Sequence, residues 1–391
     1  MAQEELATAS GMDVQLTENQ KAVQKLARDF ADNEMRPLVM KYDESMEFPF
    51  EIVQKLAGLG FMGITWPENL GGAGLTDLEL VVIIEELAKV DPSIALTVAS
   101  HNSLCTGHIM LFGNDAQKRK YVPDLASGRK LGAWGLTEAS SGSDSAGMRT
   151  LAVRDGSDWI INGSKTFITQ GSVGSTYVIM AMTDRSAGKA SISAFILEKG
   201  MKGFTIGKKE NKLGMRCSDT ATLVFENVRV PGESLLGGVG DGFKQALAVL
   251  DGGRVGIAAL SVGIAQGALD ASLKYSKERN QFGKPLSDFQ AIQWKLADME
   301  TETHAARLLT YRAAWLKSRG EKINLAAAQA KYFASEAAVR AANEAVQIHG
   351  GYGFIKEFPV EKLYRDVKLM TIGEGTSEVQ KMVIARNLLE T

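Results

Sequence analysis

The stretch Trp159-Ile-Ile-Asn-Gly-Ser-Lys-Thr-Phe-Ile-Thr169 decides how this chain divides. Its apolar and β-branched residues come in short runs, broken by Asn162-Gly163, a pair that turns a chain. The same texture runs outward from Gly128 to Val230, through Tyr177-Val-Ile-Met-Ala-Met182, Ile192–Leu197 and Thr222-Leu-Val-Phe225. Asp155-Gly-Ser-Asp158 and Lys199-Gly200 supply further turns. No helical pattern separates these strands. A small β-barrel or sandwich is expected, and a doubly wound Rossmann sheet is not.

Helical periodicity flanks this region on both sides. Upstream, Thr17 and Gln20 form a capping-box pair ahead of Val23, Leu26, Ala27, Phe30 and Ala31. A shorter helix carries Ile52, Val53, Leu56 and Ala57, and Thr76 with Glu79 caps another that ends before Pro92. Downstream, long helices are expected over Phe243–Arg279, Phe289–Ser318 and Asn324–His349, with breaks at Gln281–Pro285 and Gly350–Gly353. A last helix follows, opened by the S-x-x-Q spacing of Ser377 and Gln380. The fold class is therefore α+β in the order α, β, α. The expected domains are a helical one at 1–126 with a flexible tail at 1–12, a β domain at 127–240, and a four-helix-bundle domain at 241–391.

Composition narrows the function. The 391 residues are 45% hydrophobic and 23% charged, with a net charge of −2, which argues against nucleic acid as a partner. Cys105 and Cys217, the two cysteines, stand far apart and read as reduced thiols of a cytoplasmic protein. Residues 1–12 lack the order of a signal or transit peptide, and the apolar run Leu78–Ala88 is broken by Glu85 and Glu86, so no membrane span is expected. No G-x-G-x-x-G follows a strand, and P-loop, H-E-x-x-H and G-x-S-x-G motifs are absent. His101 and His108 share a helix face without a third ligand, so they read as packing or pocket-lining residues and no metal is expected.

Polar, glycine-rich loops remain: Gly135–Asp144, Phe167–Gly171 and Gln347–Gly353. Such loops offer backbone N–H groups and hydroxyls to a phosphate-bearing ligand. The remaining candidate is Glu374, between Gly373 and Gly375 and just ahead of the last helix. A carboxylate on a glycine hinge is free to aim, and a helix N-terminus favours its ionised form. Both suit a proton-abstracting base.

Six ordered signatures over about residues 13–390 resemble the acyl-CoA dehydrogenase family. They are Gly135-Leu-Thr-Glu with Gly142-Ser-Asp144, Phe167-Ile-Thr, Lys212–Thr220, Arg279–Leu286, Gln347–Gly353 and Ile372–Glu378. The resemblance implies non-covalent FAD held between the β domain and the C-terminal helices, and oxidation of an acyl thioester to its α,β-enoyl form. It makes Glu374 the base; the alternative position used by some members is here Gly253, which cannot serve. It places Leu136, Thr137, Ser143, Phe167 and Thr169 around the flavin ring and ribityl chain. Arg279, Phe282, Gln347, Gly351, Thr376 and Glu378 fall around the pyrophosphate and adenosine. Ser143, Asp251, Arg254 and Gly375 fall near substrate, and Arg254 reads equally as a structural ion pair.

The resemblance further implies a homotetramer built as a dimer of dimers, with Arg279 and Phe282 acting on a neighbour's FAD. An electron-transferring flavoprotein would accept the electrons. Gly373 stands where many members carry tyrosine, which suggests a short-chain, branched or cyclic acyl group. Ile94 and Ala95 lack the arginine that a glutaryl group would need. Asp91 reads as an N-cap, with a second reading as an auxiliary acid/base group toward a ring substrate. Two alternatives stay open: an oxygen-using acyl-CoA oxidase or nitroalkane oxidase-like relative, and a non-catalytic CoA-binding protein.

Overall fold

The computed structural model describes residues 15–390, so the tail expected at 1–12 lies outside the described residues. The N-terminal helices are α1 (Glu18–Phe30), α2 (Val39–Ser45), α3 (Phe50–Gly58), α4 (Asp77–Ala88), α5 (Pro92–Ser100), α6 (Gly107–Phe112) and α7 (Asp115–Ala126). Three of them start at reciprocal capping boxes: Thr17 with Gln20, Thr76 with Glu79, and Asn114 with Gln117. α5 starts differently, with the Asp91 side chain accepting from Ser93 N and a proline at its first position. One π-type turn, His101–Thr106, joins α5 to α6.

The middle region forms one eight-stranded sheet: β1 (Gly132–Gly135), β2 (Leu151–Asp155), β3 (Asp158–Thr169), β4 (Thr176–Met182), β5 (Ile192–Glu198), β6 (Phe204–Lys209), β7 (Thr220–Val230) and β8 (Leu235–Leu236). Its order is β6-β7-β3-β2-β4-β5-β8, with β1 alongside β4. β2 and β4 share a single pair, Leu151 opposite Met182, and there the sheet bends over on itself. The two halves then face each other like a sandwich: Tyr177 of β4 meets Phe204 of β6 at 4.7 Å, and Trp159 of β3 meets Phe195 of β5 at 5.4 Å. Residues alternate across β4, so Val178 and Met180 point the other way, into a core with Cys105, Val122 and Leu125. The register of β3 against β7 slips between Lys165 and Ile168. That bulge carries Phe167 at φ +57° and turns its ring outward, 64% exposed.

The C-terminal region holds α8 (Gly242–Glu278), a hairpin of β9 (Asn280–Gln281) and β10 (Lys284–Pro285), α9 (Gln290–Ser318), α10 (Asn324–His349), α11 (Pro359–Val367) and α12 (Ser377–Leu389). α11 is a helix that sequence patterning does not reveal. α8 is long and apolar enough to cross a membrane, but 72% of its apolar window is buried, because it is the axis of the bundle. It packs on α10, α9 and α4. Small residues permit that closeness: a Cβ at Gly263 would strike the backbone of Glu85 in α4, and α10 offers Ala327, Ala330, Ala334 and Ala338. The acids that interrupt α4 are buried and paired. Glu85 accepts from Arg307 at 2.9 Å and Tyr311 at 3.1 Å, and Glu86 accepts from Arg28 and Lys89.

Candidate active site

A tight turn, Lys368–Thr371, ends the approach to Glu374, and α12 begins just beyond it. Glu374 itself lies in the left-handed region at φ +53°, followed by Gly375 at +92°. The conformational freedom expected of the flanking glycines thus falls partly on the glutamate, where it is strained. Hydrogen bonds hold it there. Gln380 Nε2 donates to the carbonyls of Glu374 at 3.2 Å and Gly375 at 3.0 Å, and Lys331 Nζ donates to Gly375 O at 2.7 Å.

This arrangement corrects the expected capping box. The cap is Thr376, whose hydroxyl accepts from Val379 N at 3.3 Å. Ser377 instead donates to Glu336 at 2.6 Å, and Gln380 turns back to fasten the loop.

The Glu374 carboxylate lies over α8. A Cβ built on Gly253 would collide with its Oε2, so a side chain there and a carboxylate in this position exclude each other. The residue as a whole keeps partial exposure, yet Oε2 is sealed from solvent and has no hydrogen-bond partner among the described residues. Burial raises the Glu374 carboxyl to about 7, against the opposing charges of Lys331 and then Arg254. Burial thus works against the ionised form that the helix N-terminus was expected to favour. Arg254 is buried and donates to Asp251 at 2.5 Å, and Asn324 donates to the same oxygen at 2.9 Å. The Arg254 Nε has no partner among the described residues, and the charge of Glu374 acts on this guanidinium after that of Asp251. Burial moves Lys331 down to about 8.

A second group forms in the sheet. Leu136 and Thr137 follow β1, and their carbonyls accept from Lys165 Nζ at 3.0 Å and Thr166 N at 2.9 Å. Lys165 also meets Glu138 at 2.8 Å, and Glu138 takes the backbone N–H groups of Arg149 and Thr150. This buried pair stitches the Leu136–Thr137 loop to the bulged strand that bears Phe167 and Thr169. Ser143 sits exposed on the loop that follows.

A third group closes the far end of the bundle. Arg279 ends α8 and lies 5.4 Å over the ring of Tyr352, and both line an open groove of about 530 Å3 with Gln281, His349, Gly350 and Gly351. Gln347 lies at the adjoining end of α10, its carbonyl accepting from Gly350 N. Phe282 tips the hairpin at φ +52°, 94% exposed. Glu378 is exposed in the first turn of α12.

Asp91 does not join these groups. One of its oxygens accepts from Ser93 N at 2.8 Å and from Lys362 Nζ at 3.0 Å, while the other faces Cys217 Sγ at 3.9 Å. Lys362 also meets Asp366 at 2.6 Å, and the whole set is buried. This geometry supports the N-cap reading of Asp91 and corrects the auxiliary acid/base one: a carboxylate fixed in a buried ion pair is a structural part.

His101 and His108 are packing residues, as expected. His101 bridges Leu125 O and Gly132 N, His108 bridges Gln245 and Trp134, and burial keeps both neutral, down to about 4. No metal-ligand cluster occurs among the described residues. Sequence reading missed Lys331 and Lys165. The available signal was a lysine in register with the buried alanines of α10 and another on the same alternation as Trp159 and Ile161 along β3.

Three family models match successive parts of the chain: acyl-CoA dehydrogenase N-terminal domain over 17–129, middle domain over 133–228, and C-terminal domain over 240–389. A short-chain specific acyl-CoA dehydrogenase of Clostridium acetobutylicum is 48% identical over 374 residues, covering 96% of this chain and 99% of the relative. A subunit of the caffeyl-CoA reductase-Etf complex of Acetobacterium woodii is 46% identical, covering 96% and 99%. The structure of butyryl-CoA dehydrogenase from Megasphaera elsdenii superposes with a TM-score of 0.95 at 46% identity, covering 97% of this chain and all of that one.

Proposed function

Because this chain belongs to the acyl-CoA dehydrogenase family, flavin-dependent oxidoreductases acting on CH–CH bonds, we propose that it oxidises a short-chain acyl-CoA at the α,β-bond with Glu374 as base. The observation that carries this reading is the sealed, unpartnered Oε2 of Glu374 beside Arg254, with a proton affinity near neutrality. The α C–H of a thioester is a weak acid, so its removal needs a base poised near the working pH and donors on the carbonyl. Glu374 takes the α-proton at its carboxylate, and its backbone N–H polarises the thioester carbonyl. Asp251, Arg254, Gly375 and Ser143 meet the substrate and its CoA arm.

The residues present fit FAD. An outward Phe167, a stitched Leu136–Thr137 loop and the Arg279 groove, where a Cβ at Gly351 would meet open space, offer stacking, backbone groups and a cation. Leu136, Thr137, Ser143, Phe167 and Thr169 would hold the ring end, and Arg279, Phe282, Gln347, Gly351, Thr376 and Glu378 the phosphate and adenosine end. When bound, FAD supplies the hydride acceptor. Exposed Phe282 suits a group offered to a neighbouring protomer, which supports the homotetramer, and an electron-transferring flavoprotein is the proposed acceptor.

The substrate is a short apolar acyl group, linear, branched or cyclic. Ile94 and Ala95 are buried and uncharged, so nothing at these positions matches a distal carboxylate. A Cβ at Gly373 would already meet Leu369 at an ordinary 3.5 Å, so the glycine leaves room for a methyl-sized group beside the base. A second reading, enoyl-CoA reduction by the same residues, is favoured by the reductase name of the Acetobacterium relative. A carboxyl near neutrality gives back a proton as readily as it takes one.

Anaerobic addition of butyryl-, isobutyryl-, isovaleryl-, octanoyl-, glutaryl- and cyclohexanecarbonyl-CoA to the yellow protein tests the proposal. Rapid bleaching by one of the short apolar thioesters supports it. Bound flavin that none of the panel bleaches would overturn it.

A further inference from the structure

The charges around Glu374 are unevenly occupied. From α8, Arg254 is already bonded to Asp251 at 2.5 Å, so much of its charge is matched before Glu374 is considered. From α12, Glu378 is exposed, and from α10, Glu336 is engaged with Ser377. Lys331, also on α10, is different. It is wholly buried in a helix face with Ala327, Ala328, Ala334 and Ser335, and its hydrogen bond goes to a neutral carbonyl, that of Gly375. The strongest opposite charge acting on it is Glu374, and it is the strongest acting on Glu374 in return.

Burying an ammonium without a partner is costly, and so is burying a carboxylate. Here each offsets the other while no direct bond locks the carboxylate in place.

We infer that Lys331 is the positioning residue of the catalytic loop: its Nζ fixes the carbonyl next to Glu374, and its charge keeps the unpaired carboxylate ionisable in a sealed site. This rests on Glu374 being the base. The two contributions are separable, because Gly375 O also accepts from Gln380 and would keep one donor without Lys331. Lys331→Gln retains a donor without the charge, Lys331→Arg retains the charge, and Lys331→Met removes both.

The test is the midpoint of Glu374 ionisation in the FAD-containing protein, read by infrared difference spectroscopy, with Glu374→Gln identifying the carboxyl band. In Lys331→Met and Lys331→Gln the midpoint should rise by about 1 unit or more, the usual effect of losing a nearby opposite charge. Lys331→Arg should stay close to wild type. The acid limb of acyl-CoA bleaching should move with the midpoint while FAD content holds. An unchanged midpoint in Lys331→Met overturns the inference. If that variant does not accumulate, equal midpoints in Lys331→Gln and Lys331→Arg do the same. If no thioester bleaches even the wild type, the thioester reading falls, while the infrared midpoint still decides the role of Lys331.

Discussion

Glu374 and Asp91 are acids of one chain, each with a buried lysine in attendance, and they end up doing opposite things. Lys362 binds Asp91 directly at 3.0 Å and Asp366 as well, and these carboxylates push its own proton affinity up. Lys331 bonds the backbone next to Glu374 instead of its carboxylate, and burial pushes its affinity down, to about 8. A direct pair fixes charge and geometry, and makes a strut between α5 and α11. A displaced pair leaves an oxygen bare with a proton affinity near neutrality, which is what a base requires. The difference lies in where the ammonium is aimed.

The comparison breaks most visibly at Glu374. Glu374→Gln should keep FAD and lower the rate of flavin bleaching by about 10²–10⁴-fold, the usual worth of a general base. A rate near wild type would make Glu374 a bystander. Asp91→Asn should act on the other side of the divide. It should lower the denaturant midpoint, with a loss of about 3 kcal/mol or more if Lys362 stays charged beside Asp366 alone. The surviving folded protein should bleach with cyclic and straight-chain thioesters in wild-type proportion. A selective loss with the cyclic substrate would restore a chemical role to Asp91.

A smaller effect follows from linkage. The folded value of Glu374, about 7, lies above its ordinary 4.5. The folded state therefore holds this proton more tightly, and the stability it contributes, fully present below about 4.5, is lost as pH rises through about 7. Glu374→Gln should unfold at a higher temperature than wild type at pH 8, with the gap closing toward pH 5. Thr376→Ala should be mildest, costing about 1 kcal/mol as the α12 cap is lost. Were it nearly neutral while Ser377→Ala was costly, the cap would be misassigned.

Local rules made much of this legible in sequence. Capping pairs marked α1 and α4, short apolar runs between turn formers marked β4 and β5, and unbroken periodicity marked α8. Glu374 was visible through its glycines. What stayed hidden depends on contacts distant in sequence. Ser377 and Gln380 have capping-box spacing, but Glu336 and the Gly375 carbonyl compete for them more strongly. Neither the raised proton affinity of Glu374 nor the Asp91–Lys362 strut is local, since both arise only when α5, α8, α10 and α11 pack together. α11 was missed because its few apolar residues, Val360, Leu363 and Val367, fill barely two turns.

The most direct test of Glu374 as a sealed base is the pH dependence of flavin bleaching by butyryl-CoA, with and without deuterium at the α-carbon. The rate should climb as pH passes about 7, because the carboxyl must lose its proton before it can take another, and α-deuteration should slow it throughout the climb. A rate that is flat from pH 5 to 9 and indifferent to deuterium, figures of about the range over which such a carboxyl titrates, would contradict the account.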